Sequence, residues 1–402
     1  MNGRKTIRGR FVLPVDGPPI PGGTVTLQDG RIVEVGSTPG DDVEDLGNVA
    51  ICPGLINAHV HWEFSRLNAP LGEPGASLLD WIPRVLVYRQ ETGCANDREA
   101  VRLGMAESFR SGTAAAGEIT QPGSSLDVLM NGPPETVAFL ELIGPTVDRA
   151  KKALAAAEAW IAEAQWRGWI GRIGLSPHAP YTVHPALLEG ALRLARRWNL
   201  PLAMHYAESA EERVFLDEGT GPFRAMLERL GAWSPELAPR GDILKTLSGA
   251  PRVLVVHGTY LSDAETAFLA ARSGAMSVVY CPRSTARFHS RPYPLSRFLC
   301  AGVHVALGTD GRASAPDLDM LDEMRFLAAR HPDISPETIL NLATVAGAEA
   351  LGIGDAYGSL SSGKQATPAI IRLPEETAEP YGLLLHRKAI PVDAPAYGSR
   401  FA

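Results

Sequence analysis

From Ala50 onward the chain alternates short apolar runs with stretches whose apolar residues recur at helical spacing. The runs are AICPGLIN (50–57), GTAAAGEIT (112–120), TVAFLELIG (136–144), RIGLSPHAP (172–180), LPLAMHYAE (200–208), RVLVVHGTY (252–260), AMSVVYCPR (275–283) and VHVALGTDG (303–311). Runs of this length, each followed by an amphipathic stretch, predict parallel βα units, and eight of them predict an α/β fold of the (β/α)8 TIM-barrel type. Helices are expected over 148–167, 184–199 and 262–274, and again near 318–330 and 336–351. The 112–120 run carries the weakest strand signature, because its Ala and Gly residues lack β-branched bulk.

The two ends of the chain read differently. Residues 5–50 contain TIRGRFVLP, a Pro/Gly-rich turn, and TVTLQDGRIVEVG with Asp-Gly as a hairpin signal. After residue 356, YGSLSSGKQATPAIIRLP returns to turn-plus-strand composition. A barrel needs about 250 residues and the chain has 402, which leaves room for a smaller unit. We therefore expect residues 1–50 and 357–402 to join in one small discontinuous β-sandwich domain beside a barrel spanning 51–356.

Composition narrows the function. With 45% hydrophobic and 21% charged residues, the chain can bury a large core. A net charge of -7 without a Lys/Arg block argues against nucleic acid and for a small-molecule substrate. No apolar stretch reaches the roughly 18 residues of a membrane span, and the N-terminus lacks the apolar core of a secretory signal, so no membrane association and a cytoplasmic location are expected. Cys52, Cys94, Cys281 and Cys300 form no C-x-x-C pair, in keeping with free thiols in a reducing compartment.

Polar residues gather at the C-terminal ends of the runs: His59 and His61, His178, His205 and Glu208, His257, and Asp310. In a barrel those ends meet on one face, so positions some 250 residues apart can share a pocket. Three imidazoles and one carboxylate suit one divalent metal, zinc first, with iron or manganese as alternatives. The His59-x-His61 pair alone leaves a surface or core role open. Its combination with His205, His257 and Asp310, each at a strand end, makes metal ligation the stronger reading. His184, His289, His304, His331 and His386 stand alone and receive no metal role.

PGLINAHVH, HAPYTVHP, MHYAES, VLVVHG and LGTDG resemble the motif series of the amidohydrolase superfamily, in its branch of deaminases and triazine chlorohydrolases. The resemblance covers nearly the whole chain, including the flanking split β-domain. It implies that His59, His61, His205 and Asp310 bind the metal, that Glu208 shuttles protons, and that His257 positions the nucleophilic water. An ion with an open coordination position brings bound water to a pKa of about 7, and a carboxylate beside it can carry a proton to the adjacent ring nitrogen. Binuclear relatives place a carboxylated lysine at the end of strand four. This chain has SPHAP there, which predicts a single metal and leaves His178 to hydrogen-bond the substrate.

On the substrate side, CPRS and LGTDGRAS resemble enzymes that deaminate adenosine-like nucleosides, particularly aminodeoxyfutalosine deaminases of menaquinone biosynthesis. A chlorohydrolase, a guanine or cytosine deaminase, or another cyclic amidohydrolase is the alternative on the same scaffold. Arg283 could pair with a substrate carboxylate or simply hold its own loop. Asp80 could hold ribose hydroxyls or cap its helix, and Trp62 could stack on a base or lie in the core. His178 could equally be a turn residue. Gly311 stands where the resemblance calls for serine. Relatives of this kind are often dimers, and a homodimer is the expectation carried here.

Overall fold

The structure is a computed structural model in which residues 3–37, 43–123, 126–239, 241–376 and 379–392 are described. The remainder of the proposed C-terminal β-segment, 377–378 and 393–402, lies outside the described residues. The largest sheet contains eight parallel strands: β1 Leu55–His61, β2 Thr113–Thr120, β3 Glu135–Leu142, β4 Ile173–Pro177, β5 Leu202–Tyr206, β6 Val253–His257, β7 Met276–Tyr280 and β8 His304–Leu307. Each pairs with the next in chain order. Just past β8, Gly308 N–H donates to Tyr280 O on β7 and Thr309 N–H donates to His59 O on β1. Asp310 and Gly311 then pair with Val60 and His61. The sheet thus curls until its last strand meets its first, as in a TIM-like barrel.

Two sequence expectations are adjusted by close packing. The 50–57 run splits at Gly54: Val49–Pro53 belongs to a small outer sheet and β1 begins at Leu55. A Cβ at Gly54 would lie 2.3 Å from Ala114 Cβ and 2.4 Å from Thr367 O, so only glycine fits the crossing. β2 is buried throughout despite its weak strand composition. At Gly117 a Cβ would come within 2.5 Å of Ala58 O and 2.7 Å of Leu351 Cδ2. The small residues that obscure β2 in the sequence are what admit the Val345–Leu351 helix against the barrel.

Helix ends follow local chemistry. Thr146 accepts from Arg149 N–H to start the Val147–Trp166 helix, and Ser262 with Glu265 forms a capping box on Asp263–Ala270. Among the described residues no helix is long and apolar enough to cross a membrane.

Two smaller sheets lie outside the barrel. One runs in the order Arg31–Gly36, Thr24–Gln28, Lys5–Arg8, Val43–Asp45, and the other Ile390–Pro391, Pro368–Arg372, Val49–Pro53, Phe11–Val12, Ile20–Pro21. Pro368–Arg372 is antiparallel to Val49–Pro53, so a main-chain ladder ties the C-terminal segment to the N-terminal one. Ile7, Val25 and Leu27 from the first sheet share an apolar cluster with Val12, Ile51 and Ile370 from the second. The Asp29-Gly30 turn has φ of 51° and 73°, the left-handed pair that a two-residue hairpin turn requires.

Candidate active site

His59 and His61 close β1 and, being two apart on a strand, point to the same face. Asn57, two residues earlier, donates from Nδ2 to Thr309 Oγ1 (2.8 Å) and accepts from Thr309 N–H (3.1 Å), which locks the start of the site to the end of β8. His205 lies on β5 and His257 ends β6. Three residues here hold left-handed backbone without being glycine: Ala207 (φ 52°), His257 (φ 69°) and Asp310 (φ 60°). Each such conformation costs roughly 1–2 kcal/mol and persists only where surrounding bonds impose it. Those bonds are present: Tyr293 Oη donates to His257 O (2.6 Å). Ala207 N–H donates to Glu212 (3.0 Å), and Ser284 and Ser314 donate to Asp310.

The side chains converge. Ring centroids of His59 lie 4.9 Å from His61 and 5.0 Å from His205. Asp310 Oδ1 is 3.7 Å from both His59 Nε2 and His61 Nε2. Its other oxygen accepts from Ser284 Oγ at 2.7 Å and Ser314 Oγ at 2.6 Å, so Oδ1 alone is turned toward the imidazoles. His257 Nε2 is 3.1 Å from His205 Nδ1 and 3.5 Å from Glu208 Oε1.

Protonation follows from this geometry. Burial and the His59 ring lower His61 to about 3, and burial likewise lowers His257 to about 3, so both rings are neutral at neutral pH. Burial and the neighbouring rings hold His205 well below its ordinary value. Burial works to raise Asp310, yet the facing imidazoles overcome it and keep the carboxylate ionised. Glu208 goes the other way: burial, then the negative charges of Asp310 and Glu212, push it well above the usual range.

Orphaned nitrogens test whether this set fits a metal. Both nitrogens of His59, Nδ1 of His61 and Nε2 of His205 are buried with no hydrogen-bond partner. Unpaired buried polar atoms cost about 1–3 kcal/mol each, and neutral imidazoles are ligand-ready. Potential ligand atoms of His59, His61 and Asp310 lie within 4.8 Å of one another, as do those of His59, His205 and His257. Ligands about 2 Å from a tetrahedral ion are roughly 3.3 Å apart, so the 3.7 Å separations suit a single ion. The residues fit the group.

A cavity of about 360 Å³ opens above this centre. Its floor is His61, His178, His205, Glu208, His257 and Asp310, and one wall is the Leu78–Thr92 helix. That helix presents Leu78, Trp81, Ile82, Val85, Leu86 and Arg89, spaced by three or four residues, which is one helical face. His178 lines the cavity, its Nδ1 2.8 Å from Thr182 Oγ1.

Three substrate-side expectations are corrected. Trp62 is fully buried away from the cavity, with its indole N–H on Ser108 Oγ at 3.1 Å, so it offers no stacking face. Asp80 falls off the wall-facing stripe, and its carboxylate accepts from Ser77 Oγ at 2.8 Å in the first helical turn. Arg283 is held by Glu323 at 2.6 Å and Asp317 at 2.7 Å and does not reach the cavity. Among the described residues, the arginines that do line it are Arg89 and Arg149. The stripe's spacing would have revealed Trp81 and Arg89. The other wall, Met226, Leu227 and Leu230 after β5, left no comparable motif. Gly311 also finds its reason, because a Cβ there would press to 3.0 Å from His61 Cβ.

Comparison with known proteins agrees with this architecture. The amidohydrolase family pattern matches residues 50–391. A 5-methylthioadenosine/S-adenosylhomocysteine deaminase of Desulforudis audaxviator is 30% identical over 392 residues, covering 92% of this chain and 85% of that protein. An aminodeoxyfutalosine deaminase of Nitratiruptor sp. is 26% identical over 353 residues, covering 87% and 85%. The crystal structure of Helicobacter pylori aminofutalosine deaminase in complex with methylthio-coformycin shares the fold, with a TM-score of 0.82 at 24% identity over 96% of this chain and 97% of that one.

Proposed function

Since the chain belongs to the amidohydrolase family and is a hydrolase acting on carbon–nitrogen bonds, we propose that it removes ammonia from the aminated ring of an adenine-bearing nucleoside. The observation that carries this reading is the buried meeting of His59, His61, His205 and Asp310, with Asp310 Oδ1 3.7 Å from Nε2 of both His59 and His61, the His205 ring 5.0 Å from that of His59, and Glu208 and His257 beside them. These four residues would hold one divalent metal, zinc first and iron or manganese next. When bound, the metal supplies an activated water.

The chain's own groups then handle the protons. Glu208, held above the usual carboxylate range by burial and its acidic neighbours, takes a proton from the attacking water and delivers it to the ring nitrogen beside the amino-bearing carbon. Asp310, with Oδ2 occupied by two serine hydroxyls, takes the second proton at Oδ1 and passes it toward departing ammonia. His257, 3.5 Å from Glu208, orients the attacking water. His178, steadied by Thr182, hydrogen-bonds the base. The apolar wall of the cavity accepts the sugar's substituent, and a carboxylate on that substituent would meet Arg149.

Related deaminases named for methylthioadenosine, adenosylhomocysteine and aminodeoxyfutalosine support the nucleoside class. Among these we put aminodeoxyfutalosine, and hence a step toward menaquinone, first. The expected division into a barrel over 51–356 and a β-domain from 1–50 and 357–402 belongs to the same proposal; the apolar cluster shared between the two small sheets supports it, with residues 51–53 passing to the β-domain because Val49–Pro53 lies in the outer sheet.

A screen with added zinc, iron or manganese tests the reading, following ammonia release from adenosine, methylthioadenosine, adenosylhomocysteine, aminodeoxyfutalosine, guanine and cytosine and chloride release from chlorotriazines. Turnover of an adenine nucleoside that a chelator abolishes is the expected result. Turnover confined to guanine, cytosine or a triazine would sink it.

A further inference from the structure

The floor of the cavity joins an ion network that the proposed chemistry does not use. Arg89 ends the wall-facing stripe of the Leu78–Thr92 helix, and its Nη2 reaches Glu63 Oε1 at 2.5 Å and Glu141 Oε2 at 3.3 Å. Gln121 Nε2 bridges the same two atoms, at 3.2 Å and 2.6 Å. Both carboxylates are buried, Glu63 just beyond β1 and Glu141 on β3.

Two buried carboxylates sharing one guanidinium are a poor way to add stability, since apolar residues of similar volume would do as well or better. Their placement gives them another use. Glu63 Oε1, the atom held by Arg89 and Gln121, lies 4.0 Å from His61 Nδ1. That nitrogen is buried without a partner, while His61 Nε2 faces Asp310. A ligating imidazole holds its metal best when its outer N–H has a fixed acceptor, and a carboxylate is the usual one. On the other arm, a Glu141 oxygen lies within 4.8 Å of ring nitrogens of both His178 and His205.

We propose that Arg89 is a positioning residue: it fixes the Glu63 carboxylate on the outer side of the His61 ring, 4.0 Å from Nδ1, and Glu141 beside His178, and so ties the substrate wall to the metal's hold. This rests on the metal reading above. Arg89 itself lines the cavity, so a substrate packed along the stripe presses on the group that steadies His61.

The test uses the full-length protein purified with zinc, measuring zinc retained against a competing chelator alongside thermal unfolding. Arg89→Met and Glu63→Gln are each expected to weaken zinc binding about 10- to 100-fold, the usual cost of losing an outer-shell partner. Arg89→Lys should recover part of the loss, and Leu86→Ala, on the same wall but outside the network, should bind zinc as the parent does. Glu63→Gln keeps the side chain's size and one acceptor oxygen, so it reports even where Arg89→Met folds poorly. Parent-like zinc retention in Glu63→Gln, or in a folded Arg89→Met, overturns the proposal while leaving the deaminase reading intact. A parent protein that retains no zinc, iron or manganese overturns both.

Discussion

The two ends of the same eight strands are built on opposite principles. Inside the barrel Ile56, Ile119, Val137, Phe139, Leu254 and Val279 form an apolar cluster with ordinary strand backbone. A few residues further along, the same strands deliver His59, His61, His205 and His257 into a polar centre. There buried nitrogens lack partners and Ala207, His257 and Asp310 hold strained backbone. The lesson is a division of labour: the apolar layer supplies stability that the catalytic end partly spends on holding groups in unfavourable states.

The largest contrast is in activity. Asp310→Asn is expected to abolish ammonia release while the metal-stripped protein still folds, since the two serine hydroxyls keep an acceptor. Denaturant titration beside the activity assay checks both halves, and a large loss of stability would erase the contrast. Glu208→Gln should keep the metal but reduce kcat roughly 10²- to 10⁴-fold, the range for a lost proton carrier; an unchanged kcat removes Glu208 from the chemistry.

Phe139→Ala sharpens the comparison from the other side. It is expected to cost about 3–5 kcal/mol of stability, while the residual folded protein retains its kcat in the same assays at low temperature.

Smaller effects probe the strained end. Glu212 accepts from the N–H groups of Ala207 and Glu208, and burial pushes it up to about 7. Its folded pKa lies above the unfolded value of about 4.3. The protonated form therefore contributes stability that is complete below roughly pH 4 and lost as pH rises through about 7. Glu212→Gln has no such loss, so it should gain on the parent by up to ~3 kcal/mol between about pH 5 and 9, measured by denaturation at both ends. Parallel pH profiles would show that Glu212 is not strained by burial. Ala207→Gly should relieve left-handed backbone and raise stability by up to ~1 kcal/mol, at some cost in kcat as Glu208 loosens.

What the sequence disclosed about the site depended on how each group is held. His59, His61, His205, His257 and Asp310 were legible because strand ends bring such residues to one face whatever the loops do. Trp62, Asp80 and Arg283 were misplaced because each lies within a turn or two of the cavity, where a rotation of one helical position decides between pocket, core and ion pair. Asp80 and Trp81 are adjacent in the chain, yet only Trp81 faces the cavity.

By itself the sequence determined the alternation of eight strand runs with helices and the set of side chains at their ends, since both follow from periodicity and residue type. Tertiary structure alone decided that Gly54 divides two sheets, that Glu323 and Asp317 claim Arg283, and that Arg89 gathers Glu63 and Glu141 beneath the cavity. The reason is range: periodicity is a local property of the chain, whereas close contact and charge pairing join residues whose distance apart is set only when the barrel closes.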